Sequence, residues 1–174
     1  AKQAVLKSGN YAFAGCKALS SMSFAPDGKD IDFGEYVFSE CTRLVTINIP
    51  ANVTNLDGSA FNGCDAIKDI IVDPANRNLK SVDGILYDYN ITSLKFYPRG
   101  KDGDLSKLPW NTLTHIESTV FRNNPKIQRV DIGANIVSIG ESAFENCSSL
   151  VSVVIPDSVT SIDNGAFKNC SSLN

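Results

Sequence analysis

Apolar positions recur along this chain at a fixed spacing. Between residues 139 and 173 one apolar pattern is read almost twice, each time with a Phe followed by a Cys three residues later. The step from Phe144 to Phe167 is 23 residues, and so is the step from Cys147 to Cys170. A self-similar period of about 20 to 50 residues indicates a repeat architecture, in which each unit buries its apolar face by stacking on the next.

Each unit contains the signals for two short extended segments. Val153 and Ile155 alternate with exposed positions and lead to Pro156, and a short alternating run that ends at Pro or Gly predicts a strand. The pair Val159 and Ile162 predicts a second short strand. The A-F-x-x-C segment is too short for a stable helix, so we expect a turn or a single 3₁₀ turn there.

The fold predicted from this pattern is a right-handed repeat solenoid. Equivalent strands of successive turns are expected to pair in parallel about 4.8 Å apart, forming one narrow sheet on one face and short strands, turns or 3₁₀ turns on the other. The spacing indicates a single domain over residues 1–174 with about seven turns, the first and last incomplete. Because the pattern stops within a unit, we expect the chain to be part of a longer protein. The repeat also marks its core positions, Phe13/Cys16, Phe38/Cys41, Phe61/Cys64, Phe144/Cys147 and Phe167/Cys170.

One repeat, at about residues 73–121, departs from the period. The step from Phe61 to Phe121 is 60 residues, which fits two units. Aligning residues 81–87 with 138–144 places Tyr87 at the Phe position, and residues 85–87 and 94–97 are predicted to form the strands of a hairpin. A polar, Gly-rich loop over residues 99–104 follows.

The consensus L-x-x-[IV]-x-I-P-x-x-V-x-x-I-x-x-x-A-F-x-x-C, as it stands at residues 150–170, resembles the 23-residue leucine-rich repeat of the BspA-like family. Residues 78–87 (NLKSVDGILY) also resemble a hairpin-bearing repeat that recurs in that family. The resemblance implies a bacterial extracellular or cell-surface protein concerned with adhesion or protein binding. It implies no particular ligand.

Composition removes several function classes. The net charge of −3 gives no basic footprint for nucleic acid, and no apolar run approaches the roughly 18 residues that would span a membrane. The single histidine, His115, and cysteines without C-x-x-C spacing predict no metal site, no cofactor and no catalytic group. The five cysteines all belong to the repeat, so we expect free thiols that act as small core residues.

Two groups of residues are candidates for binding. In the irregular repeat, Tyr89, Trp110, Tyr97 and Arg99 are of the types enriched at interface hot spots, and the aromatic rings would also suit sugars. The alternative is that the aromatic residues of this region fill an enlarged core. On the sheet, positions that alternate with the core are predicted to face outward, and these are Asn48, Ile71, Arg129, Asp131 and Val154.

The sequence therefore predicts a non-catalytic binding or adhesion module that recognises a protein or glycan partner. The alternative is a structural spacer that displays another domain of a larger surface protein. An unpaired strand edge at an end of the array would also allow end-to-end association.

Overall fold

The computed structural model describes residues 5–22, 24 and 29–174, and the strands within them are two to four residues long. Short strands follow from units in which only two or three alternating positions face the core. Single 3₁₀ turns lie at Gly58–Phe61 and Leu105–Lys107. The strands are β1 (Val5–Lys7), β2 (Ser21–Met22), β3 (Asp30–Asp32), β4 (Thr46–Ile49), β5 (Val53–Asn55), β6 (Asp69–Val72), β7 (Leu79–Val82), β8 (Ile85–Asp88), β9 (Ser93–Phe96), β10 (His115–Ile116), β11 (Arg129–Asp131), β12 (Ser138–Ile139), β13 (Ser152–Val154) and β14 (Ser161–Ile162).

The strands stack in two parallel columns, as predicted. One column contains β2–β4–β6 and, beyond the irregular repeat, β11–β13. The other contains β1–β3–β5 and then β9–β10–β12–β14. In the regular turns the register advances by one repeat, so that Asn48 pairs with Ile71 and Asp131 with Val154. The chain is thus a β-solenoid in which equivalent residues lie above one another.

The A-F-x-x-C segments form turns because backbone positions on both sides of the Phe are left-handed. In the turn around Phe144, Ser142 has φ 54° and Asn146 has φ 60°. Such residues interrupt right-handed helix formation, and a short polar side chain such as Asn tolerates them best. The asparagines at this position also form an amide ladder, in which Asn146 Nδ2 donates to Asn123 Oδ1 at 2.7 Å.

The cysteine column has a hydrogen-bonding role as well as a packing role. The five thiols are free, and four of them are buried. Each buried thiol donates to the carbonyl oxygen of the aromatic residue one turn earlier, with sulfur-to-oxygen distances of 3.0–3.2 Å. Burial is the main reason that the pKa of Cys147 is raised to about 12.

The irregular repeat contains the predicted hairpin, which β8 and β9 form, and a second hairpin directly before it. β7 and β8 pair antiparallel through a turn at Asp83 and Gly84, whose φ angles of 49° and 72° are those of a primed hairpin turn. A side chain at Gly84 would also collide with the Asp69 carboxylate. β8 then pairs antiparallel with β9, and β9 pairs in parallel with β10. The hairpin is therefore built into the second strand column.

This hairpin divides the apolar interior into two cores. Leu86 and Phe96 pack with the core formed by residues 31–79. Ile85, Tyr87 and Leu94 pack with the core that extends to residue 170. On β8, neighbouring residues point to opposite faces. On β9, a register shift between the pairs Leu86–Phe96 and Tyr87–Leu94 lets Leu94 and Phe96 pack into different cores.

The alignment that placed Tyr87 at the Phe position is wrong. The aromatic column runs from Phe61 to Phe96, with ring centroids 4.9 Å apart, and resumes from Tyr97 to Phe121 at 5.5 Å. Tyr97 N donates to Val120 O, as Phe121 N donates to the residue before the next Phe. Tyr97 therefore occupies the Phe position, and the hairpin precedes it as an insertion.

Candidate functional site

Two concave surfaces flank the loop that follows the hairpin, residues 99–110. The first, called the pocket, has a volume of 520 Å³ and is formed by Lys68, Asp69, Val82, Asp83, Ile85, Tyr87, Tyr97, Gly100, Lys101, Asp102, Asp104, Lys107, Leu108 and Pro109. The second, called the groove, has a volume of 680 Å³ and is formed by Asp102, Gly103, Asp104, Leu105, Ser106, Trp110, Lys126, Gln128, Arg129, Val130 and Asp131. Both fall where the repeat is least regular.

Hydrogen bonds from Arg99 and Lys126 fix the start of this loop. Arg99 Nε donates to Arg122 O at 2.8 Å, and Arg99 Nη1 donates to Asp65 Oδ1 at 2.7 Å. Arg99 is itself buried, so the guanidinium links the turn before the hairpin to the turn after it. Lys126 Nζ adds a bond to Lys101 O at 2.8 Å. The loop is held at its first residues by charge-assisted bonds from two neighbouring turns.

The far half of the loop is held by a 3₁₀ turn and a tryptophan. Asp104 Oδ1 accepts from Ser106 N at 3.0 Å and so caps Leu105–Lys107. These bonds from Ser106 lower the pKa of Asp104. Trp110 Nε1 donates to Leu105 O at 2.9 Å, and its ring is only partly buried against the core. The wall between the pocket and the groove is therefore fixed at both ends.

The groove brings together residues from the two groups that the sequence predicted. Trp110 lies in the loop, whereas Arg129 and Asp131 are exposed on β11. Val154, which is 58% exposed, lies beside Asp131 in the register of β11 and β13. In the described part of the chain β11 pairs only with β13, and the loop takes the place of a strand on its other side. These four residues form one continuous surface.

Two predicted binding residues are not at the surface. Tyr97 is 1% exposed and stacks on Phe121, and burial is the main reason that its pKa is raised to about 12. Arg99 is 7% exposed and its guanidinium is already bonded within the protein. Tyr97 fills the enlarged turn, as the alternative for the aromatic residues supposed, and Arg99 braces that turn through its hydrogen bonds. Neither is available to a partner.

The remaining predicted residues lie apart from the groove. Tyr89 is exposed between β8 and β9, where its hydroxyl accepts from Arg77 Nη1 at 3.2 Å and Lys80 Nζ lies 6.0 Å from its ring centre. Asn48 and Ile71 face outward side by side on β4 and β6 and share a shallow hollow of 250 Å³. The predicted residues therefore form three separate surfaces.

Sequence reasoning missed the pocket altogether. Its floor includes Tyr87 and Leu108, which are buried, and its rim includes the exposed Asp83. The Asp83–Gly84 turn signal was available in the sequence, as was the run of Lys and Asp over residues 101–107. Neither signal showed that the hairpin and the loop would enclose a cavity, because that depends on the path of a non-periodic segment.

The described residues contain no cluster of side chains suited to a metal ion. No three His, Cys, Asp or Glu side chains there are placed to hold a metal ion. His115 is exposed, and its Nδ1 lies 2.7 Å from Thr114 Oγ1. No helix in the described part of the chain is both long enough and apolar enough to cross a bilayer.

Comparison with known families supports the repeat class directly. The model of the BspA type leucine rich repeat region matches residues 2–100 and 104–174 in six copies. The two matched segments are separated within the loop described above. No protein with a curated description matches the sequence.

Solved bacterial structures share the fold at low identity. The pneumococcal vaccine antigen PcpA is 21% identical, with a TM-score of 0.73 over 90% of this chain and 40% of that one. A leucine-rich repeat protein of Eubacterium ventriosum is 19% identical, with a TM-score of 0.69 over 95% of this chain and 56% of that one. A leucine rich cell surface protein of Faecalibacterium prausnitzii is 23% identical, with a TM-score of 0.69, and covers 95% and 55%. The chain spans 40–56% of the length of these proteins.

Proposed function

Because this chain belongs to the BspA-type leucine-rich repeat family, we propose that it is a non-catalytic recognition module of a surface or secreted bacterial protein. It binds a protein partner through the groove and the adjoining face of β11 and β13. The observation that carries the proposal is the convergence of Trp110, Arg129, Asp131 and Val154 on one surface. A rigid solenoid face with a bulky apolar group, a cation and an anion suits hot-spot recognition.

The accessible chemistry favours a protein over a glycan. Sugar rings bind well to the open face of an aromatic ring, yet Tyr87, Phe96 and Tyr97 are buried and Trp110 is half-buried. Tyr89 is the exposed aromatic residue of the irregular repeat, and it lies outside the groove. The groove instead offers Arg129 and Asp131, and the adjoining face of β13 adds the apolar Val154. Together they match a protein surface of mixed character.

The location is part of the same proposal. The Faecalibacterium relative is described as a cell surface protein and the pneumococcal relative as a vaccine antigen. These descriptions, with the family, support an extracellular setting for the present chain. End-to-end association of repeat arrays stays a prediction from the strand edges.

A binding panel tests the proposal. The immobilised chain is exposed to purified extracellular-matrix proteins and to a glycan array, and each hit is re-measured with Arg129→Glu and Val154→Arg. We expect protein hits that weaken at least about tenfold in both variants, since loss of a hot-spot contact costs more than about 1 kcal/mol.

The matched control is Val137→Arg, which places the same charge on an exposed valine next to β12 in the other strand column. Full binding by both groove variants contradicts the proposal. Glycan hits that are lost when Tyr89 is replaced would show that the chain binds a glycan through Tyr89. If the protein is correctly folded, as a cooperative unfolding transition shows, and the panel gives no hits, the spacer hypothesis is favoured.

A further inference from the structure

We infer that the pocket binds a long basic side chain, lysine or arginine, presented by a protein partner. The inference rests on the proposed function only in taking the ligand from a protein. It concerns a different surface from the groove, on the opposite side of the loop.

The walls of the pocket suit an aliphatic stem. Ile85 and Tyr87 come from β8, Val82 comes from the end of β7, and Leu108 and Pro109 close the opposite side. A cavity of 520 Å³ is within the usual range for a site that accepts one side chain together with part of its backbone. Lysine and arginine bury three or four methylene groups along such a surface while their charged ends stay at a polar rim.

The floor contains a hydroxyl with no partner. Tyr87 is 1% exposed, and within the described residues its hydroxyl forms no hydrogen bond. Because Tyr87 lines the pocket, a ligand with an N–H donor can form the hydrogen bond that the protein itself does not supply. Burial, followed by the nearby charge of Asp83, raises the pKa of Tyr87, so the hydroxyl is neutral and can accept from an N–H donor.

The rim has unused negative charge close to this hydroxyl. Asp83 has no ion pair among the described residues. Asp102 and Asp104 share a single cation, Lys107, at 3.9 and 3.6 Å. Lys101 is drawn to Asp69, 3.9 Å away. The lining as a whole contains four aspartates and three lysines, Lys68 included, so its net charge is −1.

Lys107 shows how such a cation would be held and also competes with it. Its side chain is 71% exposed, so its ion pairs are screened by water and easily exchanged. A partner lysine would form similar ion pairs and would also bury its aliphatic stem against Tyr87 and Leu108. It can therefore displace Lys107 from the aspartates. Removing Lys107 should therefore strengthen binding, whereas removing Asp83 should weaken it.

The test uses the whole chain and a defined probe. The blocked peptide acetyl-Gly-Lys-Gly-amide is titrated into ¹⁵N-labelled protein, with the norleucine analogue as the uncharged control. We expect saturable shifts of amide signals from residues 82–87 and 100–108 with the lysine peptide. Asp83→Asn should weaken binding and Lys107→Gln should strengthen it, each by about two- to fivefold, because the affected charges are partly exposed.

Tyr87→Phe should weaken lysine binding while leaving the fold intact, since it removes only the unpartnered hydroxyl. Asp157→Asn, an exposed change in a regular turn, should have no effect. Equal binding of the norleucine peptide, shifts that map elsewhere, or no saturable shift up to about 20 mM peptide overturns the inference. So does a change of the same sign in Asp83→Asn and Lys107→Gln. If the lysine peptide does not bind but partner binding still depends on Arg129 and Val154, the inference about the pocket is rejected and the proposed function of the groove stands.

Discussion

The regular turns after residue 119 and the irregular repeat before it solve the same packing problem differently. In the regular turns the buried aromatic residues have their equivalents one turn away, so that Phe144 stacks between Phe121 and Phe167 at 4.6 and 5.1 Å. In the irregular repeat the hairpin buries different residues on its two faces, and single bonds such as those of Arg99 replace the repeated ladder. The regular turns are stabilised by contacts that are the same in every turn. The irregular repeat forms both concave surfaces, the pocket and the groove.

Phe144→Ala is expected to have the largest effect, because it interrupts the aromatic stack from both sides. We expect a loss of about 3–5 kcal/mol in the free energy of unfolding, measured by urea denaturation. Phe167→Ala is the matched change, since Phe167 is only partly buried and should cost less. Equal losses in the two variants would falsify the view that stacking from both sides stabilises the column.

Leu86→Ala and Leu94→Ala test whether the hairpin separates two cores. Both side chains are fully buried, so each change should cost about 2–5 kcal/mol. Hydrogen exchange should rise mainly in residues 31–72 for Leu86→Ala and mainly in residues 113–150 for Leu94→Ala, because each leucine packs into a different core. The same exchange pattern in both variants would mean that the interior behaves as a single unit.

Arg99→Met tests the brace that replaces the ladder in the irregular repeat. The change leaves the Arg122 carbonyl without its donor, and we expect a loss of about 1–3 kcal/mol in thermal or urea unfolding. Lys107→Met removes exposed ion pairs of the same loop and should change stability by less than about 0.5 kcal/mol. Equal losses of unfolding free energy in Arg99→Met and Lys107→Met would contradict the role of Arg99 as the brace of this loop.

Asn124→Cys should have a small effect of the opposite sign. Asn124 is fully buried at the Cys position, and its Nδ2 has no partner, although its Oδ1 accepts from Lys126 N at 3.0 Å. A thiol there should donate to the Tyr97 carbonyl, as Cys147 does to Phe121. We expect a gain of about 1 kcal/mol, measured by chemical denaturation under reducing conditions. A less stable variant would show that the bond to Lys126 matters more than the unpaired amide.

Periodicity explains which features were predictable from the sequence. The 23-residue step places Asn48, Ile71, Asp131 and Val154 on outward positions because strand alternation is the same in every turn. The hairpin was also predictable, since Asp83–Gly84 between two apolar runs is a strong turn signal.

What could not be predicted depends on the path of a segment that repeats nowhere else in the chain. Tyr87 and Tyr97 are both aromatic and both buried, and only the stacking on Phe121 shows which one continues the column. The burial of Arg99 follows from its contacts with Asp65 and the Arg122 carbonyl, which come from different turns. No pattern of apolar and polar positions encodes such contacts.

The division of the interior by the hairpin bears on how such genes change length. Unequal recombination between two copies of a repeat adds or removes 23 residues at a time, and each added turn after residue 139 rests on the turn before it. The hairpin still closes its own end of that core, so the pocket and the groove keep their walls. A lineage can therefore alter the length of the array without rebuilding the pocket and the groove.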